Sequence, residues 1–433
     1  MIRFIPRAGA TLTLLAFALL LSPQSPAIKS AGAYPLYGSE ESGIRRLEQA
    51  RLAHEGKVKG KKKVYGELMS VEQVDLRLLD HRDLELPKAD PDFTAQIRAL
   101  LGGNASRYGI SVLDLSDPAN PRYAEHNGDY VQNPGSVGKV IVAHGIFQML
   151  ADTYPDDIES RLRVLRETTV MADEFIIRDG HTVRLWNPET QVLTRRPLQL
   201  GDRGSLYEWL DWMMSASSNA AAATNQKHAI LLAHYGKAYP PSHEAGMAFF
   251  QDTAKGTLRD LLVKTMQEPL TRSGVDLQRL RQGSMFTRTG KAKVPGTSSY
   301  GTSRELMNWT LRLEQGRIVD EFSSREIKRL LYMTERRIRY ASSPALREAA
   351  VYFKSGSLYS CQPEEGFKCK KYHGNKKNYM NSLAIVESPA GNANLHYIVT
   401  LMSNVLRKNS AVDHQTLATR IHRLIEKAHG VSE

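Results

Sequence analysis

The sequence predicts an α+β fold: one antiparallel sheet built from both chain ends, with flanking helices and an inserted all-helical lobe. A strand pattern, RYGISVLDLSD, occurs early, at 107–117, and strand patterns return only after residue 350, as AVYFKSGSLYS, NSLAIVES and NLHYIVTLMS. Between them, over about 136–345, the hydrophobic periodicity is mostly helical. Because a sheet must bury one face against another layer, the simplest arrangement places helices on it.

The N-terminus has the pattern of a signal peptide over residues 1–33. Arg3 and Arg7 precede an apolar stretch at 8–21, and a small-residue Ala-Gly-Ala site follows at 31–33. The alternative is a membrane anchor, but the apolar run is shorter than the ~20 residues that a spanning helix needs. The pattern therefore predicts export, to the periplasm or the extracellular space.

Residues 34–90 form a polar, charge-rich N-terminal extension to which we assign no chemistry. The alternation in VEQVDLRLL, at 71–79, predicts one strand or a short hairpin in an otherwise extended leader. The run KVKGKKK, at 57–63, is more typical of a solvated loop than of a binding patch.

The main domain is predicted to span 91–433. It opens with a helix at 92–103, the strand at 107–117 and a second strand, RYAEHNGDYVQ, at 122–132. It closes with an amphipathic helix that ends at Gly430. Helical patterns in the lobe include segments at 205–226, 257–267 and 303–316.

The 433-residue chain is basic, with a formal charge of +12. Loss of residues 1–33 would remove three basic residues and no acidic one, which leaves +9. Such a charge favours anionic cell-wall polymers or membrane surfaces as partners, although a solvated basic surface is the alternative. Nucleic acid is not expected as a partner of an exported chain without a binding motif. The histidines show no metal-ligand spacing, so no metal or cofactor is predicted, and the oligomeric state stays open.

Cys361 and Cys369 are the two cysteines of the chain. An exported protein enters an oxidising compartment, where a disulfide between them is plausible. Two free thiols are the alternative.

The first chemical motif lies in NPGSVGKVIVAHGIFQML, at 133–150. Ser136 and Lys139 are three residues apart, so on a helix they share a face and the amine reaches the hydroxyl. A serine at a helix start also lies among unpaired backbone N–H groups, which favour negative charge on an attacked carbonyl oxygen. The pair therefore suggests a nucleophile and its base, although a capping serine and a solvated lysine have the same spacing.

Two further motifs strengthen the catalytic interpretation. Ser217 and Asn219 follow one helix and precede an alanine-rich helical stretch, and Lys354, Ser355 and Gly356 lie in a strand pattern. These elements, in this order, resemble those of the penicillin-recognising serine enzymes, which include β-lactamases and D-Ala-D-Ala peptidases. The resemblance covers roughly 91–433 and is strongest toward class A β-lactamases.

The resemblance implies the roles of the reacting groups. Ser136 would attack a carbonyl and form an acyl-enzyme, with Lys139 as the base. A lysine acts as a base only when it is deprotonated, which requires burial or a nearby positive charge, and Lys354 would supply that charge. Ser217 would pass a proton to the leaving nitrogen.

The same resemblance implies the binding groups. Asn219 would hold the amide side chain of the substrate, and Lys354 with Ser355 would attract its carboxylate. Gly356 would keep the strand edge open, so that the backbone N–H of Ser357 joins that of the nucleophile as an oxyanion donor.

Two departures from class A bear on the second half of the reaction. Ser218 replaces the usual aspartate in the second motif. Class A enzymes also carry a glutamate, in a Glu-x-x-x-Asn pattern, that activates water against the acyl-enzyme. Glu268 is the nearest candidate for this base, but Arg272 occupies the asparagine position.

Three functions therefore remain open. With a deacylating carboxylate the protein is a β-lactamase that hydrolyses β-lactams. Without one it is a D-Ala-D-Ala carboxypeptidase or penicillin-binding protein that acts on peptidoglycan peptides. The third function, a non-catalytic wall-binding or β-lactam-sensing protein, does not need the nucleophile and base that this chain retains. The lysines of the Cys361–Cys369 region are also expected to border the site and to select anionic or bulky substrates.

Overall fold

The computed structural model describes residues 1, 37–334 and 337–431, so the predicted signal peptide lies, apart from Met1, outside the described residues. The α-helices of the described residues are α1 Ser39–Ser42, α2 Arg46–His54, α3 Pro91–Leu101, α4 Lys139–Thr153, α5 Ile158–Glu167, α6 Leu206–Met214, α7 Asn219–Tyr235, α8 His243–Asp252, α9 Lys255–Met266, α10 Glu268–Arg272, α11 Arg288–Lys293, α12 Ser303–Glu314, α13 Glu321–Tyr332 and α14 Ser410–Ala428. The strands are β1 Tyr108–Asp114, β2 Arg122–His126, β3 Thr169–Met171, β4 Thr182–Asn187, β5 Val192–Pro197, β6 Arg203–Ser205, β7 Leu280–Arg281, β8 Tyr300–Gly301, β9 Ala350–Ser360, β10 Lys377–Ser388 and β11 Leu395–Asn404. In the part of the chain that the structure describes, we find no helix with the length and apolarity to cross a bilayer.

The predicted α+β class is confirmed. The main sheet has five antiparallel strands in the order β2-β1-β11-β10-β9, so its two N-terminal strands join three from the C-terminal end of the chain. Strand β9 is an edge strand that pairs with β10 on one side only. Its other edge is therefore free to face the start of α4.

Both faces of the sheet are covered. The apolar side chains of α3 and α14, such as Ile97 and Ile421, form one buried cluster with residues of β1, β10 and β11. Residues of the lobe, including Trp209 and Trp309, form a second cluster that also contains sheet residues such as Ile385. The sheet is thus the middle layer of the fold.

The inserted lobe is not entirely helical, contrary to the expectation of an all-helical lobe from the sequence. It also contains three small antiparallel pairs, β3 with β6, β4 with β5, and β7 with β8. The strands β4 and β5 form a hairpin whose turn begins after Asn187, the side chain of which accepts a hydrogen bond from the backbone N–H of Thr190 at 3.0 Å.

Two strand predictions are wrong in detail. The second strand ends at His126, because Asn127 has a positive φ of 49° that extended backbone does not permit. No strand forms over 71–79. Val74 and Leu78 are buried, as the alternation requires, but a turn at Ser70 precedes them and the backbone N–H of Leu78 donates to Glu314.

The N-terminal extension is part of the folded core. Ile44, Leu47 and Leu78 are fully buried in the cluster of the lobe. Arg46 forms a buried bidentate ion pair with Asp211 of α6, with 2.6 Å between Nη2 and Oδ1. The expectation of an extended leader is therefore wrong for residues 39–54, which form α1 and α2.

Candidate active site

The three sequence motifs meet in one cleft between strand β9, the turn that precedes α4 and the N-terminus of α7. Ser136 lies in the turn of 3₁₀ helix Gly135–Gly138, and Lys139 is the first residue of α4. The cleft contains a cavity of about 250 Å³ whose lining includes Ser136, Asn219 and Ser357. The structure thus brings together side chains that are up to 221 positions apart in the chain.

Lys139 lies at the centre of the polar network. Its Nζ is 2.9 Å from Ser136 Oγ, 2.6 Å from the carbonyl oxygen of Ser217 and 2.8 Å from Oδ1 of Asn219. The side chain is fully buried. This geometry fits a base that takes the proton of Ser136.

Burial lowers the pKa of Lys139 to about 7, which Arg339 reinforces and the charge of Asp179 opposes. A substantial share of Lys139 is therefore neutral near pH 7. Of the two causes expected from the sequence, burial and a nearby charge, burial is the main one.

Ser217 connects the two lysines. Its Oγ accepts a hydrogen bond from Nζ of Lys354 at 2.8 Å and lies 3.4 Å from Nζ of Lys139. Burial, the nearby Lys139 and Arg339 lower the pKa of Lys354 well below its usual value. The hydroxyl of Ser217 thus lies between two buried amines, an arrangement that can relay a proton between them.

The second motif is held in place by a residue that the sequence analysis missed. Asp179 is buried, and its Oδ2 accepts hydrogen bonds from Ser218 Oγ and from the backbone N–H of Ala220, both at 2.9 Å. Its other oxygen lies 2.6 Å from Nδ1 of His181. Asp179 thus supplies, from a distant part of the chain, the carboxylate that the motif lacks at Ser218.

This anchoring supports a strained backbone. Ser217 has a φ of 63°, in the left-handed region that non-glycine residues rarely adopt. Ser218 begins α7 as its N-cap and accepts a hydrogen bond from the backbone N–H of Ala221 at 3.1 Å. The cap and Asp179 therefore fix the turn that points Ser217 at both lysines.

Gly356 of β9 lies against the turn that contains Ser136, here called the nucleophile turn. A Cβ at Gly356 would lie 2.4 Å from the carbonyl oxygen of Pro134 and 2.6 Å from the backbone nitrogen of Ser136. Glycine is therefore required there. The contact places the backbone nitrogens of Ser136 and Ser357 on facing segments, as an oxyanion hole needs.

Arg339 is a second residue that the sequence analysis missed. Its Nη1 donates to Ser355 Oγ at 2.7 Å, and its Nη2 donates to Ser357 Oγ at 3.2 Å and to the hydroxyl of Tyr372 at 2.9 Å. Nε is buried without a hydrogen-bond partner. Among the described residues no carboxylate pairs with this guanidinium. A positive charge beside β9, the strand that carries Lys354, Ser355 and Gly356 and is here called the motif strand, therefore remains available to an anionic ligand.

The structure does not bring Glu268 to the site. It is exposed on α10 and does not line the cavity. The side chain that faces Lys139 is instead Phe286, whose ring centroid lies 4.9 Å from Nζ. Of the described residues, those that line the cavity include no carboxylate; they are Asn133, Gly135, Ser136, Asn219, Gln282, Ser284, Met285, Phe286, Lys291, Ser299, Ser357 and Leu358.

A disulfide joins Cys361 and Cys369 in the segment that connects β9 to β10. This segment also carries Tyr372, which stacks on Arg339 with 4.8 Å between the guanidinium carbon and the ring centroid. The segment thus borders the site, next to Ser355 and Ser357.

No family model and no curated protein matches the sequence. Among solved structures, the chain is similar to a β-lactamase from Sphaerobacter thermophilus (15% identity, TM-score 0.48, 78% of this chain and 97% of that chain). It is also similar to a variant of PBP-A, an acyl-enzyme complex with penicillin G (14%, 0.48, 79% and 100%), and to a β-lactamase from Streptosporangium roseum (16%, 0.47, 79% and 100%). At these identities and TM-scores, the likeness says nothing about activity.

Proposed function

We propose that this protein is an active-site serine enzyme that forms an acyl-enzyme at Ser136 and acts on peptidoglycan-type peptides, with β-lactams as slowly released inhibitors. The observation that carries the proposal is a buried Ser136–Lys139–Ser217–Lys354 network beside a cavity lined by no carboxylate among the described residues. The network supplies a nucleophile and a base for acylation. The side chains that line the cavity do not supply a carboxylate base for hydrolysis of the acyl-enzyme.

Acylation starts at Ser136. Neutral Lys139, 2.9 Å away, takes the hydroxyl proton while Oγ forms a bond to the substrate carbonyl carbon. The negative charge on the carbonyl oxygen is stabilised by the backbone N–H groups of Ser136 and Ser357. The carbon–nitrogen bond then breaks, and Ser217 passes a proton from the lysines to the leaving nitrogen, so that Lys139 is neutral again.

Substrate binding uses the motif strand. The carboxylate of the leaving group is placed against Ser355, Lys354 and Arg339, because a guanidinium without a carboxylate partner is a strong site for that group. Asn219 takes the amide of the acyl portion. A terminal carboxylate next to the cleaved amide is common to D-Ala-D-Ala peptides and penicillins.

Deacylation determines which enzyme this is. A water molecule that attacks the ester of Ser136 needs a base, and the side chain that lies over Nζ of Lys139, 4.9 Å away, is the apolar ring of Phe286. Only the lysine and serine network remains to take the proton. We therefore place the protein with the penicillin-binding peptidases or acyl transferases and not with the β-lactamases.

Export is part of the same proposal, since the peptide substrate lies outside the cytoplasm. The basic residues Arg3 and Arg7 and the apolar stretch at 8–21 support a signal peptide. The basic charge of the chain also supports association with anionic wall or membrane surfaces. N-terminal sequencing of the protein recovered from outside the cytoplasm tests the cleavage at 31–33.

The test is intact-mass spectrometry of the mature protein mixed with benzylpenicillin, followed over time beside Ser136→Ala. We expect a serine-dependent adduct of one penicillin that persists after the free drug is removed. A transient adduct with consumption of the drug would instead identify a β-lactamase. If no adduct formed at Ser136, with penicillin or with a D-Ala-D-Ala peptide ester, the catalytic proposal would be wrong.

A further inference from the structure

We infer that Tyr372, in the segment between β9 and β10, is a positioning residue that holds the Arg339 guanidinium against the motif strand and so sets the preference for substrates with a free carboxylate. The substrate in this inference rests on the proposed function. The contact between Tyr372 and Arg339 rests on the geometry of the structure. Tyr372 is not expected to touch the reacting atoms.

The contact between the two side chains has two components. Nη2 of Arg339 donates to the Tyr372 hydroxyl at 2.9 Å. The guanidinium carbon also lies 4.8 Å from the centroid of the same ring, within the range of a cation–π interaction. A planar cation held at one edge by a hydroxyl and across its face by a ring keeps little rotational freedom.

The serines of the strand hold the guanidinium on the other side. Nη1 donates to Ser355 Oγ and Nη2 to Ser357 Oγ, so that Arg339 bridges the motif strand and Tyr372. The backbone of Arg339 is itself strained, with a φ of 53°. A long side chain on a strained backbone needs neighbours to keep one position, and the neighbour outside the strand is Tyr372.

The backbone of Tyr372 is held by the start of α14. Its carbonyl oxygen accepts hydrogen bonds from the backbone N–H and from Oγ of Ser410, at 3.1 and 3.3 Å. The disulfide from Cys361 to Cys369 ends three residues before it. The charge of Arg339 lowers the pKa of the Tyr372 hydroxyl although burial opposes this, which agrees with a close contact. The ring is thus a fixed support for the arginine.

The consequence is specific to carboxylate recognition. If Arg339 turns away, the site loses a cation that binds the substrate carboxylate but keeps Ser136, Lys139 and Ser217. Acylation by a ligand without that carboxylate should then fall much less, since it is affected only through the contribution of Arg339 to the pKa of Lys139. A purely structural role for Tyr372 would slow the acylation by both kinds of ligand.

The experiment measures second-order acylation rates with benzylpenicillin and with its methyl ester, which lacks the carboxylate, for wild type, Tyr372→Phe, Tyr372→Ala and Arg339→Gln. Loss of a hydrogen bond to a charged group predicts that Tyr372→Phe lowers the acid-to-ester rate ratio by about fivefold. Tyr372→Ala, which also loses the ring, should approach Arg339→Gln. Tyr359→Phe is the matched control, because it removes a neighbouring hydroxyl that has no contact with Arg339, and it should keep the wild-type ratio.

Two results would overturn the inference: an unchanged ratio in both Tyr372 variants, or rates that fall by the same factor for acid and ester. A second measurement does not depend on acylation. Phenylglyoxal labelling with peptide mapping should modify Arg339 several-fold faster in Tyr372→Ala than in wild type, since an unsupported guanidinium is more accessible. If wild type formed no adduct, the proposed function would be wrong while the labelling still decided the role of Tyr372.

Discussion

Lys139 illustrates how single residues set the chemistry of this site. Burial and the charge of Arg339 lower its pKa, and the charge of Asp179 raises it. Lys354 donates to the hydroxyl of Ser217, which also lies 3.4 Å from Nζ of Lys139. The balance leaves the pKa of Lys139 at about 7, so that small changes in its surroundings would change the pH range in which it could act as a base.

Asp179→Asn should therefore shift the pH dependence of acylation in a defined direction. Acylation needs neutral Lys139, so the rate rises with pH through its pKa. Removal of the Asp179 charge lowers that pKa, and the acid limb should move to lower pH. The maximum rate should also fall, by about tenfold, because Ser218 and Ala220 lose a charged hydrogen-bond acceptor. The measurement is the rate of adduct formation between pH 5 and 9.

The control for this prediction is Asp152→Asn. Asp152 lies at the far end of α4 and pairs with Arg272, so its loss should leave the acid limb in place. An acid limb that stays fixed, or moves to higher pH, in Asp179→Asn would show that Asp179 does not act on Lys139 through its charge.

Phe286→Glu should convert the slow release of the penicillin acyl group from Ser136 into repeated hydrolysis of penicillin. The substitution places a carboxylate beside Lys139 and the ester of Ser136, where the Phe286 ring lies now. General-base catalysis typically contributes ~10²–10⁴ in rate, and an unoptimised base should shorten the life of the penicillin adduct by at least about tenfold. The measurement is the decay of the adduct by intact mass.

Phe286→Leu is the matched control for the effect of losing the ring. It keeps the position apolar, so its adduct should persist as in wild type. Equal decay in the two variants would mean that loosened packing, and not a new base, releases the acyl group.

At the scale of elements, the edge strand β9 carries the binding half of the site because its free edge lies against the turn at Ser136. Gly356→Ala should block this approach, since the added Cβ would meet the backbone of Pro134 and Ser136 at 2.4 and 2.6 Å. We expect acylation to fall by more than about tenfold and the free energy of unfolding to fall by about 1–3 kcal/mol. Rates are measured at a temperature at which the variant is folded by circular dichroism.

Gly256→Ala provides the comparison for Gly356→Ala. Gly256 lies in α9, and a Cβ there would meet nothing within 4 Å, so alanine should stabilise the helix by up to about 1 kcal/mol. Wild-type acylation by Gly356→Ala would contradict the close approach of β9 to the nucleophile turn.

The same elements show how far the sequence could predict this site. Each motif is short and nearly contiguous in the sequence, so Ser136, Ser217 and Lys354 could be proposed as site residues before the fold was known. Asp179 and Arg339 could not, because they reach the motifs from 39 and 16 positions away and their types carry no signal on their own. The missing base is another such case, since only the fold shows that Phe286 faces Lys139.

At the scale of the whole molecule, the N-terminal segment completes the core and supplies buried charge. Arg77 donates to Oε2 of Glu387 on β10 at 2.8 Å, and Lys328 contacts both Glu387 and Glu314. Lys328, Glu387 and Glu314 are fully buried, whereas Arg77 is partly exposed. The two cations balance the two carboxylates. His396 lies beside these carboxylates, but Lys328 already occupies the position that a metal ion would take.

Arg77→Gln should destabilise the protein in a pH-dependent way. Burial alone would raise the pKa of Glu387, but Lys328 and Arg77 outweigh it and lower the pKa to about 2. A depressed carboxyl pKa contributes stability that is present above the unfolded value of 4.5 and is lost as the pH falls toward 2. The variant should therefore lose about 2 kcal/mol of the free energy of unfolding at pH 7, because Glu387 keeps only one cation and Arg77 is partly exposed. The difference from wild type should shrink below pH 4, as urea titrations at the two pH values would measure.

Arg82→Gln, which breaks an exposed pair with Glu321, should change the free energy of unfolding by less than about 1 kcal/mol at either pH. A loss in Arg77→Gln that is the same at pH 7 and below pH 4 would mean that Arg77 stabilises the fold by packing and not by its charge on Glu387.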